Sequence, residues 1–302
     1  MKCLYVYNPT SGKQNNGKNT EYIVSKLKTK YEVVDVMPTK KRGDAGEFAC
    51  FSCGKYDTLV ISGGDGTVNE VVNALACKEN RPVLGYIPAG TTNDLAHSLK
   101  IPKKLKNAVN IILNGNIIDH DIFKVNNKYG IYVCAFGLFT ASSYTSSQKS
   151  KKKFGKLAYY INGIKELKNA KKFNITLKTE TIEFTTDIIL GIIANSKYVS
   201  GYKINKMANC SDGYVNVILY KERKKKGVSL KMLFNIFRSF LFGMGVLKNS
   251  KNCVILKLNK FEVDFNEDTD INLDGEKGMN GSFKFEVLKQ HLKIFVKGWT
   301  YG

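Results

Sequence analysis

Apolar and amphipathic stretches alternate through the first hundred or so residues. Residues 4–7 are continuously apolar and stop at Asn8-Pro9, as a buried strand does when it meets a turn. Residues 20–30 place Tyr22, Ile23 and Leu27 at helical spacing. A β-rich stretch, 31–36, comes next, then a helical one, 43–51. Residues 58–61 are a short apolar strand broken at once by Gly63-Gly64, and 67–76 carry Val68, Val71, Val72 and Leu75 on one helical face. Residues 83–87 read as the next strand, stopped by Pro88, and 105–113 as another helix.

The pattern changes near residue 120. Strand-like runs dominate from there: 122–125, 130–135, 173–178, 183–193, 214–220, 253–263 and 282–286. Helical periodicity interrupts them at 157–167 and 230–247. Their lengths and polar breaks predict a mostly antiparallel second domain. The chain therefore reads as an α/β domain over 1–125 and a β-rich domain over 126–289. Strands alternating with helices predict a doubly wound, largely parallel sheet in the first domain. Such folds bind ligands beyond the C-terminal ends of their strands. Three loops leave strands at that end, 8–13, 62–67 and 88–94, and one site built from all three is the economical reading.

The chemistry of those loops points to phosphate. In Ser62-Gly63-Gly64-Asp65-Gly66-Thr67 the glycines let the backbone approach a ligand closely. The helix that follows offers unpaired N–H groups and the positive end of its dipole. An acidic residue inside such a loop calls for a cation, which points to Mg²⁺ between Asp65 and a nucleotide. The loop Pro88-Ala89-Gly90-Thr91-Thr92-Asn93-Asp94 adds a glycine, hydroxyls, an amide and a second carboxylate. Neither a Walker A sequence nor the protein-kinase set of motifs is present.

Gly63-Gly64-Asp65-Gly66-Thr67-Val68-Asn69-Glu70 together with Ile87-Pro88-Ala89-Gly90-Thr91-Thr92-Asn93-Asp94 resembles the catalytic domain of diacylglycerol and sphingosine kinases. The soluble bacterial diacylglycerol kinases are the closer match, and the resemblance runs the length of the chain. It implies a first domain similar to the NAD-kinase and phosphofructokinase fold, a β-sandwich second domain, and a C-terminal segment, 290–302, that rejoins the first. It implies ATP held by Asn8, Pro9, Thr10, Ser11, Gly12, Thr39, Gly63, Gly64, Asp65, Gly66, Thr67, Asn69, Glu70, Gly90, Thr91 and Asn93. Asp65, Asp94 and Asp121 would form an acidic network linked to Mg²⁺. A separate structural Mg²⁺ would sit on Asp212 and on backbone carbonyls near Asn209 and Tyr214. By the same analogy Asn272-Leu273-Asp274-Gly275-Glu276 supplies the base. A lipid hydroxyl needs a proton acceptor as it attacks phosphorus, and Asp274 and Glu276 are both candidates, with Glu276 favoured. Asp-Gly is also a strong hairpin signal, so the same residues fit a plain turn.

Charge changes the picture of partners. Lys+Arg number 47 against 26 Asp+Glu, a formal net charge of +21, which favours anionic partners. The lysine clusters at 149–153 and 221–226 are not interleaved with aromatics, and no zinc-finger or RNP pattern occurs, so nucleic acid is not expected. The partners that fit are a lipid substrate at a membrane surface, the anionic membrane itself, and a second copy of the chain as a homodimer. No run approaches the ~20 apolar residues that span a bilayer, and the N-terminus lacks a signal-peptide pattern. Seven scattered cysteines suit a reducing compartment. The expected location is cytoplasmic, peripheral to the inner face of the membrane, with 230–247 either lying on the bilayer or packed on the sandwich. A kinase of a soluble molecule such as NAD, or a non-catalytic nucleotide-dependent membrane-binding regulator, are the alternative readings.

Overall fold

The computed structural model describes residues 1–11, 17–138, 172–199, 202–221, 236, 238, 239, 243, 250 and 252–298. Gly12, the lysine cluster at 149–153, most of that at 221–226, the helix expected at 157–167, most of 230–247, and Trp299 lie outside them.

Four apolar runs form the parallel core of the first domain: β1 (Lys2–Tyr7), β2 (Val33–Pro38), β3 (Thr58–Gly63) and β4 (Val83–Pro88). They lie in the order β2-β1-β3-β4, all parallel. The helices between them are α1 (Gly17–Leu27), α2 (Asp44–Ser52) and α3 (Asp65–Ala76). Val68, Val71, Val72 and Leu75 of α3 are buried, a stripe worth roughly 1.5–3 kcal/mol per side chain. A short helix, α4 (Asp94–Ser98), and α5 (Leu105–Asn114) follow β4. Helix α4 has no counterpart in the periodicity, because five residues are too few to show a stripe.

The second domain is antiparallel. It contains β6 (Lys128–Gly130), β7 (Val133–Gly137), β8 (Phe173–Lys178), β9 (Glu183–Ala194) and β10 (Val215–Lys221). The run at 253–263 is two strands, β11 (Cys253–Leu258) and β12 (Lys260–Phe265), separated at Asn259, whose carbonyl accepts from Val287 N at 2.7 Å. A hairpin, β13 (Asp270–Leu273) and β14 (Glu276–Asn280), follows. Phe123, Phe136, Phe173, Phe261, Phe283 and Phe285 fill a core separate from that of the first domain.

Two long strands join the halves. β5 (Asn116–Val125) and β15 (Phe283–Val296) pair antiparallel along their lengths, with a break in register between Leu288 and Leu292. The first part of β15 pairs with β12 of the sandwich, and Ile294 pairs parallel with Leu84 of β4. A continuous path of hydrogen-bonded strands thus runs from β14 to β2.

Candidate active site

The glycine-rich loops meet at the C-terminal ends of β3 and β4. Strand β3 ends at Gly63, Gly64 is extended, and α3 begins at Asp65, two residues before the start read from the apolar spacing. Asp65 therefore stands in the first helical turn, where a carboxylate complements the dipole. No side chain caps this helix, so its leading N–H groups remain for a ligand. The loops touch backbone to backbone: a Cβ on Gly90 would lie 2.5 Å from Gly64 Cα. Only glycine permits that approach. Asn93, buried and in the left-handed region at φ 55°, shapes the second loop. Its Oδ1 accepts from Gly90 N at 2.9 Å and from the Tyr86 hydroxyl at 3.1 Å, and its Nδ2 donates to Gly90 O at 2.7 Å.

Asp65 ties the loops together. Asn93 N donates to Oδ2 at 2.8 Å and Asp94 N to Oδ1 at 2.7 Å. Burial pushes the Asp65 carboxyl above its ordinary range, against the pull of those two donors. The buried phenol of Tyr132 is raised by desolvation and then by Asp274, Asp65 and Asp94, which share this corner of the molecule.

The β13–β14 hairpin brings two carboxylates to that corner in different surroundings. Asp274 is 3% exposed and accepts from Ile131 N at 2.8 Å, Tyr132 N at 3.0 Å, Val133 N at 3.0 Å and Asn69 Nδ2 at 3.4 Å. Its backbone carbonyl accepts from the Tyr132 hydroxyl. Burial lifts its carboxyl to about 6. Glu276 is partly exposed, and a Cβ on Gly66 would lie 3.6 Å from its Oε1. Its Oε2 accepts from Arg42. Asp274 thus anchors the hairpin to α3 and β7, whereas Glu276 presents a carboxylate over the first turn of α3.

The other residues expected to hold a nucleotide are placed as follows. Asn8 Oδ1 accepts from Thr10 N and Thr10 Oγ1 at 2.9 and 2.8 Å, Ser11 N donates to Asn8 O, and Pro9 lies between them. Thr39 N donates to Tyr7 O at 2.9 Å, placing Thr39 just beyond β2. Thr67 lies under Gly63, Glu70 supplies a carbonyl against Gly46, and Thr91 is exposed with its carbonyl accepting from Lys103 Nζ at 3.1 Å.

Of the three acids expected to form a network, Asp65 bonds the backbone of Asp94, and Asp121 is held by other partners. Asp121 Oδ2 accepts from Gly213 N and Oδ1 from Gln290 N, both at 2.6 Å. Among the described residues no three His, Cys, Asp or Glu side chains converge to hold an ion. Asn209, Asp212 and Tyr214 do share one turn: Asn209 Oδ1 accepts from Ser211 N, Asp212 Oδ1 from Tyr214 N, and Asp212 Oδ2 pairs with Lys257 at 2.8 Å. His120 is buried against Asp121 O, and His97 stacks on Tyr198. Arg42, Tyr132 and Asn195, whose Nδ2 donates to Asp121 O and Ile131 O, were not legible as site residues. Arg42 is one of many basic residues, and the other two act only through tertiary contacts.

The comparisons with known proteins agree along the chain. Residues 2–125 match the diacylglycerol kinase catalytic domain, and residues 135–296 match the YegS C-terminal NAD kinase beta sandwich-like domain. A diacylglycerol kinase of Staphylococcus saprophyticus is 33% identical, over 98% of this chain and 95% of the relative. One of Staphylococcus epidermidis is also 33% identical, over 98% and 92%. A crystal structure from Bacillus anthracis, provisionally assigned as a diacylglycerol kinase, superposes with a TM-score of 0.84 at 26% identity, over 98% of this chain and 95% of that one.

Proposed function

The chain belongs to the diacylglycerol kinase family, and on that premise we propose that it transfers the γ-phosphate of ATP to the free hydroxyl of diacylglycerol, giving phosphatidic acid and ADP. One observation carries the reading: a carboxylate from the sandwich, Glu276, stands over the first turn of α3, beside the Gly64–Gly90 contact. Phosphoryl transfer asks a protein mainly for placement and for a home for charge and proton. The uncapped N-terminus of α3 faces the phosphates. The lipid oxygen forms its bond to the γ-phosphorus as the bond to the ADP oxygen breaks, and the hydroxyl proton passes to Glu276. Asp274 cannot serve as well, since its oxygens already accept from three backbone N–H groups and an amide.

The donor set suits Mg²⁺. That ion is commonly held by one or two carboxylates, phosphate oxygens and water. Each Asp65 oxygen accepts one N–H and keeps a second lone pair, and a cation would relieve the cost of burying this carboxyl. Asp65 and Asp94 would hold it, and when bound it neutralises charge on the phosphates. Asp212 would hold a second, structural Mg²⁺ on the 209–214 turn only by giving up its ion pair with Lys257. The lipid acceptor requires the protein to work at a bilayer. No helix among the described residues is long and apolar enough to cross one, and the charge of +21 suits peripheral docking on the anionic inner face of the membrane from the cytoplasm.

The test is transfer of labelled γ-phosphate into diacylglycerol presented in anionic vesicles. Glu276→Gln is expected to lower kcat by about 10²–10⁴-fold. Wild-type turnover in that variant, or label appearing only in a soluble acceptor such as NAD, would overturn the reading.

A further inference from the structure

The candidate base has a partner in the other domain. Arg42 stands in the loop between β2 and α2, and its Nη2 donates to Glu276 Oε2 in an ion pair that joins residues 234 positions apart. The arginine side chain is 80% exposed and the glutamate 40%. A pair so open to solvent adds little to folding stability, so its consequence lies in geometry.

The loop that carries Arg42 is held on both sides. Thr39 N is bonded to Tyr7 O at the end of β1. Asp44 Oδ2 accepts from Lys40 N at 2.7 Å and from Lys41 N at 3.0 Å, and Glu47 N donates to Gly43 O at 3.0 Å to close the first turn of α2. The guanidinium therefore starts from a fixed backbone. Its planar fork suits a carboxylate.

A carboxylate has two oxygens, and here they differ. Oε2 is taken by Arg42, while Oε1 faces Gly66 at the start of α3. A half-exposed glutamate without such a grip would sample several rotamers in solvent. We propose that Arg42 is a positioning residue for phosphoryl transfer, gripping Oε2 of Glu276 so that Oε1 is the oxygen set over the phosphate loop to take the lipid hydroxyl proton. The proposal rests on the reading of Glu276 as the base.

The experiment is a double-mutant cycle on the full chain, with ATP and diacylglycerol vesicles, single-turnover rates, and kcat and KM for ATP separated. Arg42→Ala is expected to lower kcat about 10–100-fold, the scale of a small misplacement of a reacting group. KM for ATP should move less than about threefold, and Arg42→Lys should recover part of the rate. In the Glu276→Gln background, Arg42→Ala should cost nothing more, because no base remains to be oriented. A loss that multiplies in that background, or a KM for ATP that rises in step with it, would place Arg42 on the phosphates and overturn the proposal. Wild-type kcat in Arg42→Ala beside an inactive Glu276→Gln would overturn the positioning role alone. Full activity in Glu276→Gln would remove the base reading and this proposal together.

Discussion

Asp274 and Glu276 are two residues apart on one hairpin, and burial separates their roles. Asp274 is surrounded by backbone donors, and its carboxyl is lifted to about 6 by desolvation. Between about pH 4 and 6 the folded chain keeps a proton there that the unfolded chain releases. This residue's contribution to stability therefore falls as pH rises through that window. Two units correspond to at most about 3 kcal/mol. Asp274→Asn should remove that slope from a series of denaturant unfolding curves. It should also destabilise the fold by about 1–3 kcal/mol, because an amide NH₂ then faces backbone donors. Nothing in the local sequence distinguishes the two acids: both flank Gly275, and only the Ile131–Val133 backbone, about 140 residues away in the chain, sorts one from the other.

At the scale of elements, the site depends on two loops meeting without side chains. Gly90→Ala would push a methyl to within 2.5 Å of Gly64 Cα. The loops must part, at about 1–3 kcal/mol as for other overpacked positions. Calorimetry should find ATP affinity at least tenfold lower while far-UV circular dichroism is unchanged. These loops were legible because strand, glycine pair and helix follow one another in sequence. The strands β1, β3 and β4 and the helices α2, α3 and α5 also stood within two residues of their periodic signals. The joining strands did not. The first half of β5, Asn116 to Asp121, carries Asp119, His120 and Asp121, whose polarity reads as a loop. Burial of Asp121 is tolerated because Gly213 of the 209–214 turn and Gln290 of β15 satisfy its carboxylate, and buried His120 bonds the carbonyl of Asp121 beside it. In β15 the run Lys289-Gln290-His291 hides one long strand behind a break in register, where Gln290 has φ 53°. Pattern reading finds faces, and these segments are ordered by bonds between distant parts of the chain.

The whole molecule is joined through that β5–β15 ribbon. Asp121 sits on it, fully buried, holding Gly213 N with one oxygen and Gln290 N with the other. Asp121→Ala strands both donors, at an expected cost of about 2–5 kcal/mol. Scanning calorimetry should show the variant's transition broader than the wild type's, or divided in two, as the two cores lose their common clasp. An undivided transition at the wild-type temperature would mean that the ribbon's backbone pairing suffices.

The return of β15 to β4 also has a consequence for how the chain is made. A ribosome delivers β1 to β4 first, yet the outer edge of β4 meets Ile294 only after the whole sandwich has emerged. Until then the nascent first domain holds an uncovered sheet margin, and the hairpin bearing Glu276 has not been translated. Interrupted synthesis would leave a fragment whose β4 lacks its neighbour and whose α3 lacks the Glu276 carboxylate above it.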